Sequence, residues 1–338
     1  MSSPESRILN PDSLLKWGIM GTGMIAKKFA TDLPQSETGR LGAVSSRTQE
    51  SADHFAAEFG GRGIAGYDAL LADPEIDAVY LALPNGLHRE IAIAAMRAGK
   101  HVLCEKPIAL DLADAEAMFA AADETGKTLC EAFMYRAHRQ TEKLIELVQS
   151  GVLGDLKLIR TDFTFDRPVT DGDARYRPDQ GGGAIMDVGC YCTNFTRALA
   201  GAEPIESTAV AHLINGVDDY AAGTLKFENG DLLATFTCGM TVVSDQSAHI
   251  AGTKARIEVT RFWQGLEGFT IIRPDAEPEH ISVEETRPIY AVEADAFAAV
   301  VRGEGGLFGD REDTLGNMRV MDDLRKSAGV VMPGQGAS

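Results

Sequence analysis

Apolar residues recur along this chain in two different rhythms. Up to about residue 133, short apolar runs alternate with stretches of helical period. Trp17, Ile19 and Met20 make the first run, and LGAVS at 41–45, DAVYLAL at 77–83, His101 to Cys104 and Thr128 to Phe133 repeat it. Between them lie amphipathic segments. One follows the first run, Ala52 to Phe59 stops at Gly60-Gly61, Tyr67 to Leu71 makes a short turn, His88 to Arg97 ends at Gly99, and 108–127 closes at Gly126. Strand and helix in such short alternation predict a doubly wound parallel sheet wrapped by helices, with ligands at the carboxyl ends of the strands. From Met134 the rhythm changes. A long helix is expected from Tyr135-Arg136 to about Gln149, then period-two strands begin with LKLIRTDFTF at 156–165 and continue through 205–273, with a hairpin at Asn229-Gly230. Two late helices, about 292–302 and 314–327, close the pattern. The expected fold is α/β: a dinucleotide-binding domain over 1–133, then an α/β domain over 134–338 with a large, mostly antiparallel open sheet. The last helix is expected to pack back on the first domain.

The turn after the first run reads Gly21-Thr22-Gly23-Met24-Ile25-Ala26, a G-x-G-x-x-A opening a helix. The first glycine permits a tight turn, the second lets backbone approach a pyrophosphate, and the small third residue lets helix and strand pack closely. The helix N-terminus adds unpaired N–H groups and the positive end of its dipole. A Rossmann-type site is expected to place an acid about 20 residues on, against the ribose 2′-hydroxyl. Here Ser46 and Arg47 stand at that strand end, with Glu50 and Asp53 only on the following helix. A hydroxyl and a guanidinium suit a 2′-phosphate and so point to NADP; Arg47 idle on the surface, with NAD as cofactor, is the alternative.

Charge narrows the partners. The 338 residues carry a formal charge of -18, which argues against nucleic acid or an anionic membrane as partner. The apolar runs are far short of a membrane span, and the start, MSSPESRILNPDS, lacks a signal-peptide pattern, so a cytoplasmic protein is expected. Cys104, Cys130, Cys190, Cys192 and Cys238 show no paired metal spacing, nor do the histidines; buried free thiols and no metal are expected.

Three strand ends converge on one crevice: Gly21–Met24, Leu83-Pro84-Asn85 and Glu105-Lys106-Pro107. A lysine at a strand end in a crevice is a candidate proton-transfer group whose pKa partial burial would lower, and the proline helps aim it. A second candidate constellation follows Gly181-Gly182-Gly183. Asp187, Tyr191 and Asn194 stand at i, i+4 and i+7, on one helix face, which is poor material for a core and suited to a polar substrate. The alternative is a set of buried, hydrogen-bonded residues.

With GTGMIA, LPNGLH, HVLCEKP, EAFMYRAHRQ and GGGAIMDVGCYCTNF in this order, the chain resembles the Gfo/Idh/MocA oxidoreductases over nearly its whole length. Within them it is most similar to the branch holding glucose–fructose oxidoreductase, dimeric dihydrodiol dehydrogenase and NADP-dependent xylose dehydrogenase. The resemblance implies an NAD(P)-dependent enzyme moving a hydride between nicotinamide and a secondary alcohol of a sugar, polyol or cyclic diol. Lys106 would hold the reacting oxygen, Tyr191 would exchange its proton, and Asp187 would orient substrate hydroxyls. Many relatives carry His at the Tyr191 position, so Lys106 is expected to lower the phenol's pKa. The resemblance also places Arg177 near substrate or cofactor phosphate and His88 near the cofactor, and implies a homodimer through the open sheet. A dinucleotide-binding sensor without turnover is the rival from another class; the Lys106, Asp187, Tyr191 set argues against it.

Overall fold

The first six strands are short and, apart from one edge strand, largely buried because both faces of their sheet are covered. In the computed structural model, which describes residues 14–170, 172–228, 232–263, 268–304 and 308–330, they are β1 (Leu15–Met20), β2 (Gly39–Ser46), β3 (Arg62–Ala65), β4 (Ala78–Leu81), β5 (His101–Glu105) and β6 (Leu129–Ala132). All neighbours pair in parallel, in the order β3-β2-β1-β4-β5-β6. The order reverses between β1 and β4, which opens a crevice above their carboxyl ends. The connecting helices are α1 (Met24–Asp32), α2 (Gln49–Phe59), α3 (Tyr67–Leu71), α4 (His88–Arg97) and α5 (Leu112–Thr125). Thr48 caps α2 and Asp111 caps α5 through their side chains, while Gly126 ends α5 in the left-handed conformation. β3 was not expected: its four residues, RGIA, carry too little apolar signal, and it forms by adding to the edge of β2.

A single turn of 3-10 helix at Met134–Ala137, rather than the start of a long helix, leads to α6 (Arg139–Gln149), with His138 as its cap. The second sheet then begins with β7 (Leu156–Thr164). A π-helical turn at Ile185–Gly189 runs into α7 (Cys190–Ala200). β8 (Pro204–Ile214), β9 (Val217–Phe227), β10 (Leu233–Gly239), β11 (Ala248–Gly252), β12 (Arg256–Val259), β13 (Phe269–Ile272) and β14 (Glu279–Ile281) follow. Their order is β14-β13-β12-β11-β7-β10-β9-β8, antiparallel except for the β7–β10 pair. The expected turn at Asn229-Gly230 lies outside the described residues; the flanking β9 and β10 do pair antiparallel. One face of this sheet is covered by α7 and by α9 (Arg311–Ser327), whereas the other presents Leu158, Val210, Tyr220 and Leu233 to solvent. Among the described residues no helix is long and apolar enough to cross a membrane.

Two late helices bind the halves together. α8 (Ile289–Val301) lies against α1, and Phe297 meets Trp17 of β1 at 5.1 Å between ring centroids. Trp17 in turn meets Phe29 of α1 at 5.3 Å, and Phe29 stacks on Tyr80 at 4.0 Å. Part of the first sheet's core therefore comes from near the end of the chain. α9 touches both sides. Its Asp322 accepts the Leu112 N–H at 3.0 Å and its Arg325 donates to the Leu110 carbonyl at 2.7 Å, while Asn317 accepts from Thr193 of α7 at 2.7 Å. Because Phe297 is fully buried, Phe297→Ala is expected to cost roughly 3–5 kcal/mol in chemical denaturation and to lower the stability of the first sheet. Unchanged protection of β1 in hydrogen exchange would show that α8 is not part of that core.

Candidate active site

The glycine turn has two glycines for two reasons. Gly21 has φ +103°, donates its N–H to Ser45 at 2.9 Å, and leaves no room for a side chain, since a Cβ would lie 2.4 Å from the Ala82 carbonyl oxygen. Gly23 has ordinary backbone geometry, and a Cβ there would meet nothing within 4 Å. Nothing inside the protein requires glycine at 23, so the open space above it fits a ligand. No side chain caps the N-terminus of α1. Its first N–H groups therefore suit an anion such as a pyrophosphate. Met24 and Ile25 line the crevice beside them, with Leu83, Pro84 and Asn85 opposite. Thr22 is partly buried within the same turn. Ser46 is buried and Arg47 exposed at the end of β2, and among the described residues Arg47 forms no ion pair. Glu50 and Asp53 are on α2, with Asp53 held by Gln49 at 2.8 Å.

Lys106 sits where β5 ends, in a cis peptide with Pro107. Its Nζ donates to the main-chain oxygen of Asp187 at 2.7 Å and to Oδ1 of the same residue at 3.0 Å. Burial pushes the lysine's pKa down, but the Asp187 carboxylate outweighs it, and the net direction is up. The lowered pKa expected from the sequence is thus corrected: Lys106 is held as a cation. Asp187 shows the reciprocal effect. Burial alone would raise it, yet Lys106 and Arg175 bring it down to about 2. Its second oxygen accepts from Arg175 Nε at 2.8 Å. Both carboxylate oxygens are therefore engaged by cations, so Asp187 sets the charge of Lys106 before it can orient any hydroxyl.

Glu105 lines the floor of the crevice, with its buried carboxylate held by neighbours from within. Tyr80 donates its hydroxyl to Oε1, and the Lys106 N–H reaches Oε2 at 3.2 Å. Burial above all raises its pKa. His88 is buried behind the crevice wall, where its Nδ1 lies 3.1 Å from the Pro107 carbonyl oxygen and its Nε2 lies 2.9 Å from that of Leu83. It ties together the two strand-end turns that flank the crevice. Glu131 supports the same region by accepting the Ile108 N–H at 2.9 Å, and burial pushes it up to about 8.

Tyr191 lies beneath Lys106, whose Nζ is 5.1 Å above its ring centroid. The phenol hydroxyl points away, donating to Met134 Sδ at 3.3 Å, and Phe133, Phe163 and Trp263 surround the ring. The lysine charge meets the ring face and not the oxygen, so burial dominates and the phenol's pKa is pushed far up. The expectation that Lys106 lowers it does not hold. Asn194 does not share the crevice with Asp187 either. The π-helical turn inserts an extra residue per turn and rotates the face. Asn194 instead accepts from Tyr135 and Arg136 and donates to Asp313 at 2.9 Å. Its amide joins α7 to α9.

Arg177 is exposed and forks onto its neighbour Asp179 at 2.6 and 3.1 Å, outside the crevice wall. The residue that the sequence reading missed is Arg175, two positions earlier, which lines the crevice. Ala174–Tyr176 form a single 3-10 turn, which sends the Arg175 and Arg177 side chains in different directions around the buried Tyr176, and nothing in the sequence marks that turn. All five cysteines are free and buried, and among the described residues no group of three or more potential ligands could hold a metal.

A glycine turn against an open anion site, facing a lysine held as a cation, matches a known pattern. The oxidoreductase family described as having an NAD-binding Rossmann fold matches residues 15–133, and the Gfo/Idh/MocA C-terminal domain matches residues 141–258. The chain belongs to the Gfo/Idh/MocA oxidoreductase family. A D-xylose 1-dehydrogenase (NADP(+)) from Haloferax volcanii is 34% identical over 93% of this chain and 97% of its own length. A trans-1,2-dihydrobenzene-1,2-diol dehydrogenase from Mus musculus is 32% identical over 75% of this chain and 77% of its own. Among solved structures, a 3-ketoreductase from Actinomadura kijaniata, in complex with NADP and TDP-benzene, superposes with a TM-score of 0.84. It is 30% identical and covers 93% of this chain and 98% of its own. An aldose–aldose oxidoreductase from Caulobacter crescentus, complexed with glycerol, gives a TM-score of 0.85 at 27% identity, covering 93% and 97%.

The two glycines are expected to separate in experiment. Gly21→Ala is expected to lose roughly 3 kcal/mol of stability through strain and overlap. Gly23→Ala should stay within about 1 kcal/mol of wild type yet bind the dinucleotide at least about tenfold more weakly. Calorimetric binding and denaturation on both variants check this; equal affinity for Gly23→Ala would contradict the pyrophosphate cradle.

Proposed function

We propose that the chain catalyses NADP-dependent, reversible hydride transfer at a secondary carbinol or ketone of a sugar, polyol or cyclic diol. The observation that carries this reading is the Lys106 ammonium, held charged by Asp187 in the crevice whose other wall is the glycine turn. NADP on that turn supplies or accepts the hydride when bound. Gly21 to Ile25 would hold its pyrophosphate, and Ser46 and Arg47 its 2′-phosphate.

Lys106 has given two hydrogen bonds to Asp187, and an ammonium has three protons. The third N–H donates to the reacting oxygen and stabilises negative charge as it develops there. Burial keeps the Tyr191 phenol protonated, so in ketone reduction it would give that proton to the more basic alkoxide left by hydride addition. To reach the substrate its hydroxyl leaves Met134 Sδ, a weak acceptor that holds it lightly. The names of the relatives support the substrate class: a xylose dehydrogenase, a dihydrodiol dehydrogenase and an aldose–aldose oxidoreductase. NADP is supported by the 3-ketoreductase that binds it and by the absence of an acid at the end of β2.

We infer in the same way a homodimer through the second sheet. Leu158, Val210, Tyr220 and Leu233 leave an apolar surface on a sheet face that no described helix covers.

The decisive test is binding of NADPH and NADH side by side, followed by turnover with D-xylose and a cyclic trans-diol. NADPH is expected to bind at least about tenfold tighter, about 1.4 kcal/mol, and Arg47→Ala should remove most of that preference. Equal affinities would leave Arg47 as a surface residue and move the assignment to NAD.

A further inference from the structure

Five charges of alternating sign run along the crevice wall. Arg167 Nε lies 3.5 Å from Asp173 Oδ2, and Asp173 Oδ1 lies 3.5 Å from Arg175 Nη1. Arg175 Nε meets Asp187 Oδ2 at 2.8 Å, and Asp187 Oδ1 meets Lys106 Nζ at 3.0 Å. The series starts at a partly exposed arginine in the loop and ends on the buried lysine. Three cations share two acids.

We propose that Arg175 is a positioning residue that sets the charge and reach of Lys106 by competing with it for the Asp187 carboxylate. The inference rests on the reading of Lys106 as the catalytic lysine, but its test needs no substrate.

The main chain makes Arg175 well placed for this. Its carbonyl oxygen accepts the Gly183 N–H at 2.9 Å, and Gly182 passes so close that a Cβ would lie 2.4 Å from that oxygen. Asp173 holds the Arg175 N–H at 3.1 Å. Arg175 thus grips the segment that carries Asp187 at two points, through its backbone near residue 183 and through its guanidinium at residue 187. A shift of the loop reaches Asp187 directly.

The electrostatic consequence has a definite sign. An aspartate free of Arg175 would give both oxygens to Lys106 and hold the ammonium more tightly, raising its pKa and drawing its third proton from the substrate side. Arg175 takes one oxygen and prevents that. The other charged and titratable groups facing Lys106 are Glu105 on its own strand, Cys190 and Tyr191 on α7, and His88 on α4. None of these touches Arg175 among the contacts of the described residues, so variants at 175 leave them in place.

Competitive labelling with acetic anhydride, resolved by peptide mass spectrometry between about pH 7 and 12, reads the Lys106 pKa in the full chain. Arg175→Gln is expected to raise it by about one unit relative to wild type, and Arg175→Lys to restore most of the wild-type value. Asp173→Asn, which leaves Arg175 in place and releases it towards Asp187, should move the pKa the opposite way. If Arg175→Gln does not fold, Asp173→Asn still decides the sign, with Arg175→Lys as the control that keeps the charge. An unchanged Lys106 pKa in Arg175→Gln and Asp173→Asn, or a fall in Arg175→Gln towards the ordinary lysine value, would overturn the proposal and leave Arg175 a structural brace for the loop. Finding no sugar or diol substrate for the protein would not alter this result.

Discussion

The ion pair between Lys106 and Asp187 joins two units that otherwise have separate sheets. Lys106 leaves the end of β5, while Asp187 stands on a π-helical turn that packs on the second sheet. Their side chains are only 12% and 18% exposed, so water does little to weaken the attraction. A pair in that position must be satisfied on both sides. Lys106 finds two oxygens of Asp187, and Asp187 finds Arg175 as a second cation. Removing Asp187 would leave the buried Lys106 ammonium without its acid, whereas Asp187 without Lys106 keeps Arg175. The crevice is therefore a place where the fold sets a charge, and chemistry at an oxygen that becomes negative follows from it.

Topology explains why the crevice is there at all. The strand order turns back between β1 and β4, so the chain leaves those two strands in opposite directions. Gly21 closes that gap tightly against the Ala82 carbonyl, and Gly23 leaves it open outward. His88 then ties Leu83 to Pro107 from behind. On the far side α8 supplies Phe297 to the core beneath β1, and α9 braces the start of α5. The site is shaped by short segments, but its rigidity comes from residues scattered to the end of the chain.

What could be read from the sequence was local. The glycine turn, the strand ends at Leu83–Asn85 and Glu105–Lys106, and the alternation of strand and helix all follow from neighbours along the chain. What could not be read depended on three-dimensional detail. Spacing placed Asp187 and Asn194 on one face, but one π-helical turn rotated them apart. Arg177 was singled out in place of Arg175 because the 3-10 turn at Ala174–Tyr176, which turns Arg175 to the crevice, left no mark in the sequence. Tyr191 was expected to feel the lysine at its oxygen; the structure turns the ring face to the charge and the hydroxyl to a sulfur. The sign of the shift at Lys106 was also reversed, because only the folded distance to Asp187 shows that its carboxylate outweighs burial. β3 escaped notice because an edge strand of four residues needs its neighbour more than its own sequence.

The central claim is that the Lys106 charge acts in the chemical step and not in binding. Its most direct test is Lys106→Met, with NADPH affinity and single-turnover hydride transfer measured on the same preparation. The account predicts near-normal NADPH binding with transfer slowed by about a hundredfold or more. Hydride transfer at close to the wild-type rate, with the cofactor bound, would contradict it.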